Sequence, residues 1–311
     1  MKTFKPASSF KSKRQTVVTI GTFDGVHLGH RKIIYRLNEV AKSKKLDSAL
    51  LTFFPHPRMV LQQKQDLKLI NTIDERINLL SQTGLDHLVI EPFTKTFSRL
   101  KAQEYVKQYL VDYLNAAVVI VGYDHRFGRN RTANIEDLKR FAKTYNFEVE
   151  EISKQDIDDV AISSTKIRSA ITEGQIHLAN TYLSKPFVLT GKVVKGKQLG
   201  KSLGYPTANL QVKEDYKIIP KEGVYVVSAY IDSALHYGMM NIGHNPTIAN
   251  NNRKSVETYF FDFSGNLYDK TIQIQLLKRL RNERKFDSLE ALKSAMQKDE
   301  KYSKDFIKTL R

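Results

Sequence analysis

The first 185 residues alternate between short, almost wholly apolar runs and longer stretches with apolar residues at helical spacing. This alternation restricts the possible folds more than any other feature of the chain. "TVVTIG" (16–21), "DSALLTFF" (47–54), "DHLVIEPF" (86–93), "AAVVIVGY" (116–123) and "FEVEEI" (147–152) read as strands, and "HRKIIYRLNEVAKSKK", "TIDERINLLSQTG", "KAQEYVKQYLVDYL" and "NIEDLKRFAKTY" between them as helices. Strands apolar on both faces and separated by helices predict an open parallel sheet with helices on both faces. After "YLSKPFVLTG" the pattern changes to β-branched and aromatic runs with little helix: "FVLTGKVV", "GVYVVSAYI", "HYGMMNIG", "SVETYFFDF" and "KTIQIQLLKRLR", with "SGN" (264–266) as a hairpin turn. A last amphipathic segment, "SLEALKSAMQKDEKYSKDFIKTL", reads as helix. Two domains are expected, 1–185 as α/β and 186–311 as a β-barrel or sandwich closed by a terminal helix.

Composition removes several function classes. The formal charge of +17 invites an anionic partner, yet it is spread evenly, +8 from Pro186 onward and +9 before it. The N-terminal stretch "MKTFKPASSFKSKR", with five basic residues and no acid, has no apolar centre and reads as a frayed basic arm, not a secretory signal. With no cysteine, disulfides, thiolate metal sites and a cysteine nucleophile are excluded, and a reducing cytoplasm is the expected location. No apolar run approaches the roughly 18 residues of a membrane helix, so a soluble protein without a membrane partner is expected.

In an open α/β sheet, ligands bind beyond the carboxyl ends of the strands. "GTFDGVHLGH" (21–30) sits there, directly after the first apolar run. Gly21 and Gly25 let backbone approach a ligand, His27 and His30 share one side of a helical turn, and Gly29 permits a phosphate near the helix start. Taken alone, the stretch also fits a glycine-rich turn with two solvent histidines. The spacing of three, with no glutamate after the first histidine, excludes a metalloprotease helix. "ISSTKIR" (162–168) offers Ser163, Ser164 and Thr165 at a helix start with Arg168 one turn in, either for phosphate or as a cap. "GYDHRFG" (122–128) adds Gly122 and Asp124 at another strand end. Three such loops at one sheet edge suit a nucleoside triphosphate.

These motifs, in this order, carry a resemblance. "GTFDGVHLGH" is similar to the HxGH signature of nucleotidyltransferases. Together with "TFFPHP" (52–57), "GYDHRFG" and "ISSTKIR" it resembles the FMN adenylyltransferase module of prokaryotic bifunctional FAD synthetases. The resemblance implies His27 and His30 as catalytic donors to the triphosphate. Gly21, Phe23, Asp24, Gly29, Gly122, Asp124, Ser163, Ser164, Thr165 and Arg168 would bind ATP. Pro55, His56 and Pro57 would border the flavin. A phosphate monoester is already anionic, so adenylyl transfer needs positioning and charge compensation and no general base.

The second half carries "GKVVKGKQLGKSLGYPTANL" (191–210), rich in glycine and lysine but not a Walker A loop. On an extended chain Thr207 and Asn209 point the same way, and their oxygens suit Mg²⁺. In "SVETYFFDF", Glu257, Tyr259 and Phe261 share a face, which reads as inward, with Glu257 either structurally paired or catalytic. With "GVY" (223–225), "NIG…PT" and "RLRNERKF" (279–286), these segments resemble riboflavin kinase. That implies Glu257 as base for the riboflavin 5′-hydroxyl, Gly196, Lys197, Lys201, Thr207 and Asn209 at ATP with Lys195 alongside, Thr207 and Asn209 at the metal, and Arg281 at flavin. Departures from the family pattern are Thr22, His125, Lys201, His244-Asn245 and Tyr259.

The resemblance implies a bifunctional enzyme that makes FMN from riboflavin and ATP, with ADP released, and then FAD from FMN and ATP, with pyrophosphate released. Small molecules are the expected partners, with no nucleic acid. The alternatives are a nucleic-acid-binding protein with an OB-like barrel, an adenylyltransferase for another phosphorylated metabolite, or a chain with one decayed site. Acids flank the aromatics of "ETYFFDF", which is wrong for a nucleic-acid backbone.

Overall fold

The computed structural model describes residues 1–62, 67–153, 162–196, 200, 203–244 and 254–310. The chain divides into two compact units, Met1–Ser164 and Thr165–Arg311.

The first unit is a six-stranded parallel sheet of order β1-β4-β3-β2-β5-β6. Its strands are β1 (Lys2–Phe4), β2 (Thr16–Ile20), β3 (Asp47–Phe53), β4 (His87–Glu91), β5 (Ala116–Gly122) and β6 (Glu148–Ile152). All five expected strands are present. Alternation along them fills two cores. Val18, Ile20, Ala49, Leu51, Val119 and Val121 turn to one face, and Val17, Leu50, Leu88, Val118 and Ile120 to the other. Helices α1 (Leu28–Lys44) and α3 (Ile73–Ser81) cover the second face through Ile34, Leu37, Val40 and Leu80; the short α2 (Pro57–Leu61) follows β3. The first face is covered by a helix that starts as α4 (Ala102–Tyr105) and widens to a π-helix over Val106–Tyr113, and by α5 (Ile135–Tyr145). The wider turn stacks Tyr105 on Tyr109 at 5.6 Å and sets Tyr113 edge-on to Tyr109 at 5.4 Å. Side chains satisfy the exposed N–H groups at helix starts: Thr72 with Glu75 for α3, and Asn134 with Asp137 for α5.

The basic arm is not frayed. Lys2–Phe4 pairs with His87–Val89 as an edge strand, Ala7 and Phe10 are buried in the first core, and the Ala7 N–H donates to Glu91 at 2.7 Å. A three-residue strand with one core contact on each side of a turn is too short to show periodicity.

The second unit begins with α6 (Ser164–Glu173, whose first residue belongs to the first unit) and α7 (Ile176–Leu183). Asn180 donates to the Leu276 carbonyl and accepts from the Phe187 N–H, bonding α7 to the strands that follow. These are β7 (Phe187–Val194), β8 (Ala208–Gln211), β9 (Gly223–Ile231), β10 (Ala234–His244), β11 (Lys254–Phe260) and β12 (Thr271–Arg281), a closed barrel of order β10-β11-β8-β7-β12-β9. Closure selects the barrel over the sandwich. The tight hairpin joins β9 to β10 at Asp232-Ser233, both at positive φ (48° and 70°), as a mirror-image turn requires. "SGN" is not a hairpin turn: β11 and β12 are not neighbours, and the chain between them crosses to the other side of β7 and β8. Helix α8 (Leu289–Lys308) packs on the outside of the barrel, where Ile307 meets Tyr205, Val224, Val226, Met239 and Phe261.

Candidate active sites

Because β2, β3 and β5 are parallel, the loops after them open at one sheet edge. The loop after β2 is compact and strained. Phe23 and Val26 hold φ of 48° and 42°, unusual for such side chains, with Gly25 at 91° between them. A Cβ on Gly21 would press on the Phe23 ring at 2.9 Å. This path delivers His27 to the N-cap of α1, where its Nδ1 accepts the His30 N–H at 3.4 Å. A nitrogen that accepts leaves the ring proton on Nε2, the tautomer that donates outward. The two imidazoles stack with centroids 3.6 Å apart, and Phe23 backs His30 at 4.7 Å. Gly29 is buried in the same turn. Burial, then the neighbouring His27 and Arg76, hold His30 well below its usual 6.5, so it is neutral at pH 7.

Asp24 is fully buried, and its carboxylate accepts the N–H groups of Ile70 (3.1 Å) and Asn71 (3.2 Å) and lies 3.9 Å from the buried Arg76 guanidinium. Its carbonyl accepts from the Ser164 hydroxyl at 2.9 Å, which brings the start of the "ISSTKIR" helix to the "GTFDG" loop. Ser163 is exposed. Thr165 and Arg168 lie one turn apart on α6, with Arg168 donating to Thr165 at 3.4 Å. Thr52 reaches from β3 to the Thr22 carbonyl at 3.2 Å. Beyond β3, Pro55 is exposed, and His56 caps α2 by accepting the Arg58 N–H at 3.1 Å, with Pro57 at its first position. Beyond β5, Gly122 leads to exposed Asp124 and to His125, which burial pushes down to about 4.

The second cluster lies on the barrel. Register places Glu257 of β11 opposite Asn209 of β8 on one side and Asn241 of β10 on the other. The Thr207 hydroxyl donates to the Glu257 carboxylate at 3.2 Å. A Cβ on Gly196 would collide with the Asn209 side-chain amide, so Gly196 and Asn209 approach closely. Glu257, Tyr259 and Phe261 do share a face, but it is the outer one. Phe261 and Tyr259 pack with α8, while Val256, Thr258 and Phe260 alternate with them and are buried. The barrel is apolar on both faces there, so alternation alone does not tell inside from outside. Lys197, Lys201 and Asn245 lie outside the described residues. Arg281 is engaged by Asp299 through Nε (2.9 and 3.1 Å) and Nη2 (2.7 Å), and its Nη1 donates to the Asn282 carbonyl.

Sequence reasoning missed Arg76, Tyr205, Asp299 and Glu300. Each lies on an amphipathic helix or beside a strand, and only burial (Arg76, Tyr205, Asp299) or a distant hydrogen-bond partner (Glu300 with Tyr205) singles it out. Among the described residues no group of three or more His, Cys, Asp or Glu is arranged to hold a metal. The oxygens of Thr207 and Asn209 are hard donors beside Glu257, a set that fits Mg²⁺ only when phosphate and water complete the shell.

Comparison with known proteins shows the family of each half of the chain. Residues 9–166 match the FAD synthetase family model and residues 183–307 the riboflavin kinase model. A Listeria monocytogenes protein named bifunctional riboflavin kinase/FMN adenylyltransferase is 37% identical, covering 94% of this chain and 93% of its own. A Bacillus subtilis protein of the same name is 33% identical over 97% and 95% of the two chains. A Streptococcus pneumoniae structure, described as a macrolide-efflux protein, superposes with TM-score 0.88 and 30% identity over 97% of this chain and 98% of its own. Among the described residues of the present chain, no helix is long and apolar enough to cross a membrane.

Proposed function

This chain belongs to the bifunctional riboflavin kinase/FMN adenylyltransferase family, and on that premise we propose how its two sites divide the work. It phosphorylates riboflavin to FMN with ATP and then adenylylates FMN to FAD. We assign the second reaction to residues 1–185 and the first to residues 186–311, in the cytoplasm.

In the kinase reaction the riboflavin 5′-oxygen attacks the γ-phosphorus of ATP, the bond to the ADP oxygen breaks, and the hydroxyl proton passes to Glu257. The juxtaposition of Glu257 with Thr207 is the observation that carries this assignment. Thr207 and Asn209 would hold Mg²⁺, which would offset phosphate charge when bound. We assign Gly196, Lys197 and Lys201 to the ATP phosphates and the segment from Arg281 to the flavin.

In the adenylyl transfer an FMN phosphate oxygen attacks the α-phosphorus of a second ATP, and pyrophosphate leaves. The stacked, neutral His30 and the donor tautomer of His27 suit hydrogen bonding to that phosphate chain without proton transfer. We assign Gly21, Phe23, Gly29, Ser163, Ser164, Thr165 and Arg168 to ATP. Asp24 shapes the loop from beneath, and Gly122 and Asp124 border the nucleotide. Pro55, His56 and Pro57 border the flavin.

The test is a time course of the purified protein with riboflavin, ATP and Mg²⁺, followed by chromatography. Transient FMN followed by FAD is expected; well-folded protein that forms neither overturns the assignment.

A further inference from the structure

Two consecutive carboxylates on α8 each hold a different segment of the kinase unit. Glu300 accepts the Tyr205 hydroxyl at 2.9 Å. Tyr205 is buried, its N–H donates to the Gly200 carbonyl at 2.8 Å, and it lies two residues before Thr207. Its ring meets Tyr259, two residues after Glu257, edge-on at 5.0 Å. The neighbouring Asp299 is buried and takes the Arg281 guanidinium in a bidentate pair, at the point where β12 gives way to "NERKF". Successive residues on a helix point about 100° apart, so one rigid element serves two segments.

We propose that Asp299 and Glu300 are positioning residues of the kinase reaction, Glu300 fixing the end of the glycine–lysine segment through Tyr205 and Asp299 fixing the segment after β12 through Arg281. The inference rests on the assignment of ATP to Thr207 and of flavin to the Arg281 segment. A carboxylate pair serving stability alone, with partners reaching toward solvent, contributes little. A bidentate fork, and a hydroxyl bonded to a carboxylate while its ring packs edge-on against another, instead set direction. Burial and the Glu300 partner push the Tyr205 hydroxyl up to about 12, so this link does not titrate at working pH. Lys304 one turn on bonds Glu300 at 2.7 Å and keeps it charged.

The experiment measures both Michaelis constants of riboflavin phosphorylation in the full chain. Glu300→Ala and Tyr205→Phe each raise the ATP KM about five-fold, the loss of one hydrogen bond, and leave the riboflavin KM near its native value. Glu300→Gln, which still accepts, restores most of the ATP KM. Asp299→Asn raises the riboflavin KM about ten-fold with the ATP KM little changed. Circular dichroism and thermal melting of each variant report that the barrel unit is folded, which adenylylation of supplied FMN, a reaction of the other unit, does not. Equal changes in both constants, or none, overturn the proposal. Thr207→Ala is run alongside: if it leaves phosphorylation intact, the site assignment fails; if it abolishes the reaction while the α8 variants show no split, the positioning role alone fails.

Discussion

The two units carry out phosphorus chemistry on ATP from opposite starting points. In the first, a parallel sheet brings strand ends to one edge, and the chemistry sits on loops and a helix start. A buried aspartate, Asp24, holds that region through backbone amides of residues 70–71. In the second, antiparallel register alone sets Glu257 between Asn209 and Asn241, on strands and not on loops. The difference follows the nucleophile. On the proposed assignment, a phosphate needs donors and no base, the part given to the neutral His30 and the His27 stacked on it. A hydroxyl must lose a proton, the part given to Glu257 on its strand.

The sharpest way to break this contrast is Glu257→Gln. Removing the proton acceptor lowers riboflavin phosphorylation by about 10²- to 10⁴-fold, while FAD formation from supplied FMN continues at the native rate. Comparable losses in both reactions would mean that the carboxylate maintains the fold and not the chemistry.

The converse variant, His30→Ala, lowers adenylyl transfer by about 10²-fold, so FMN made by the kinase accumulates without FAD. Stalled kinase activity in this variant would erase the division between the units.

The smallest effect sharpens the contrast through pH. His30 and His125 both have folded-state values below 6.5, the latter about 4, each chiefly through burial. As pH falls below 6.5 the unfolded chain binds protons that the folded chain refuses, so stability present above 6.5 is lost progressively toward 4. Scanning calorimetry between about pH 7 and 5 should show the melting temperature of the first unit falling by several degrees, and less so in His125→Asn. An unchanged melting temperature over that range would contradict the buried, neutral state of these rings.

Much of this was legible in the residues. The four central strands of the sheet, β2 to β5, are apolar on both faces because helices cover both, and such runs stand out between amphipathic stretches. The turn signals of "GTFDGVHLGH" and "ISSTKIR" lie where parallel strands must end, so the Asp24–Ser164 contact joins two segments already singled out. The arm strand Lys2–Phe4 was not legible, since three residues show no period and its lysines suggest solvent. Nor was the outward face of Glu257, because α8 makes the outside of the barrel as apolar as the inside.

The sequence by itself determined the two fold classes, the order of their elements and most of the segments to which chemistry is assigned. Those properties depend on local periodicity and turn chemistry, which neighbours along the chain encode. The tertiary structure alone decided barrel closure, the crossing between β11 and β12, the burial of Arg76 beside His30, and the tie of Asp299 and Glu300 to Arg281 and Tyr205. These depend on residues far apart in sequence meeting at one point, and a lone charge on a helix looks the same in the chain whether it meets water or a partner.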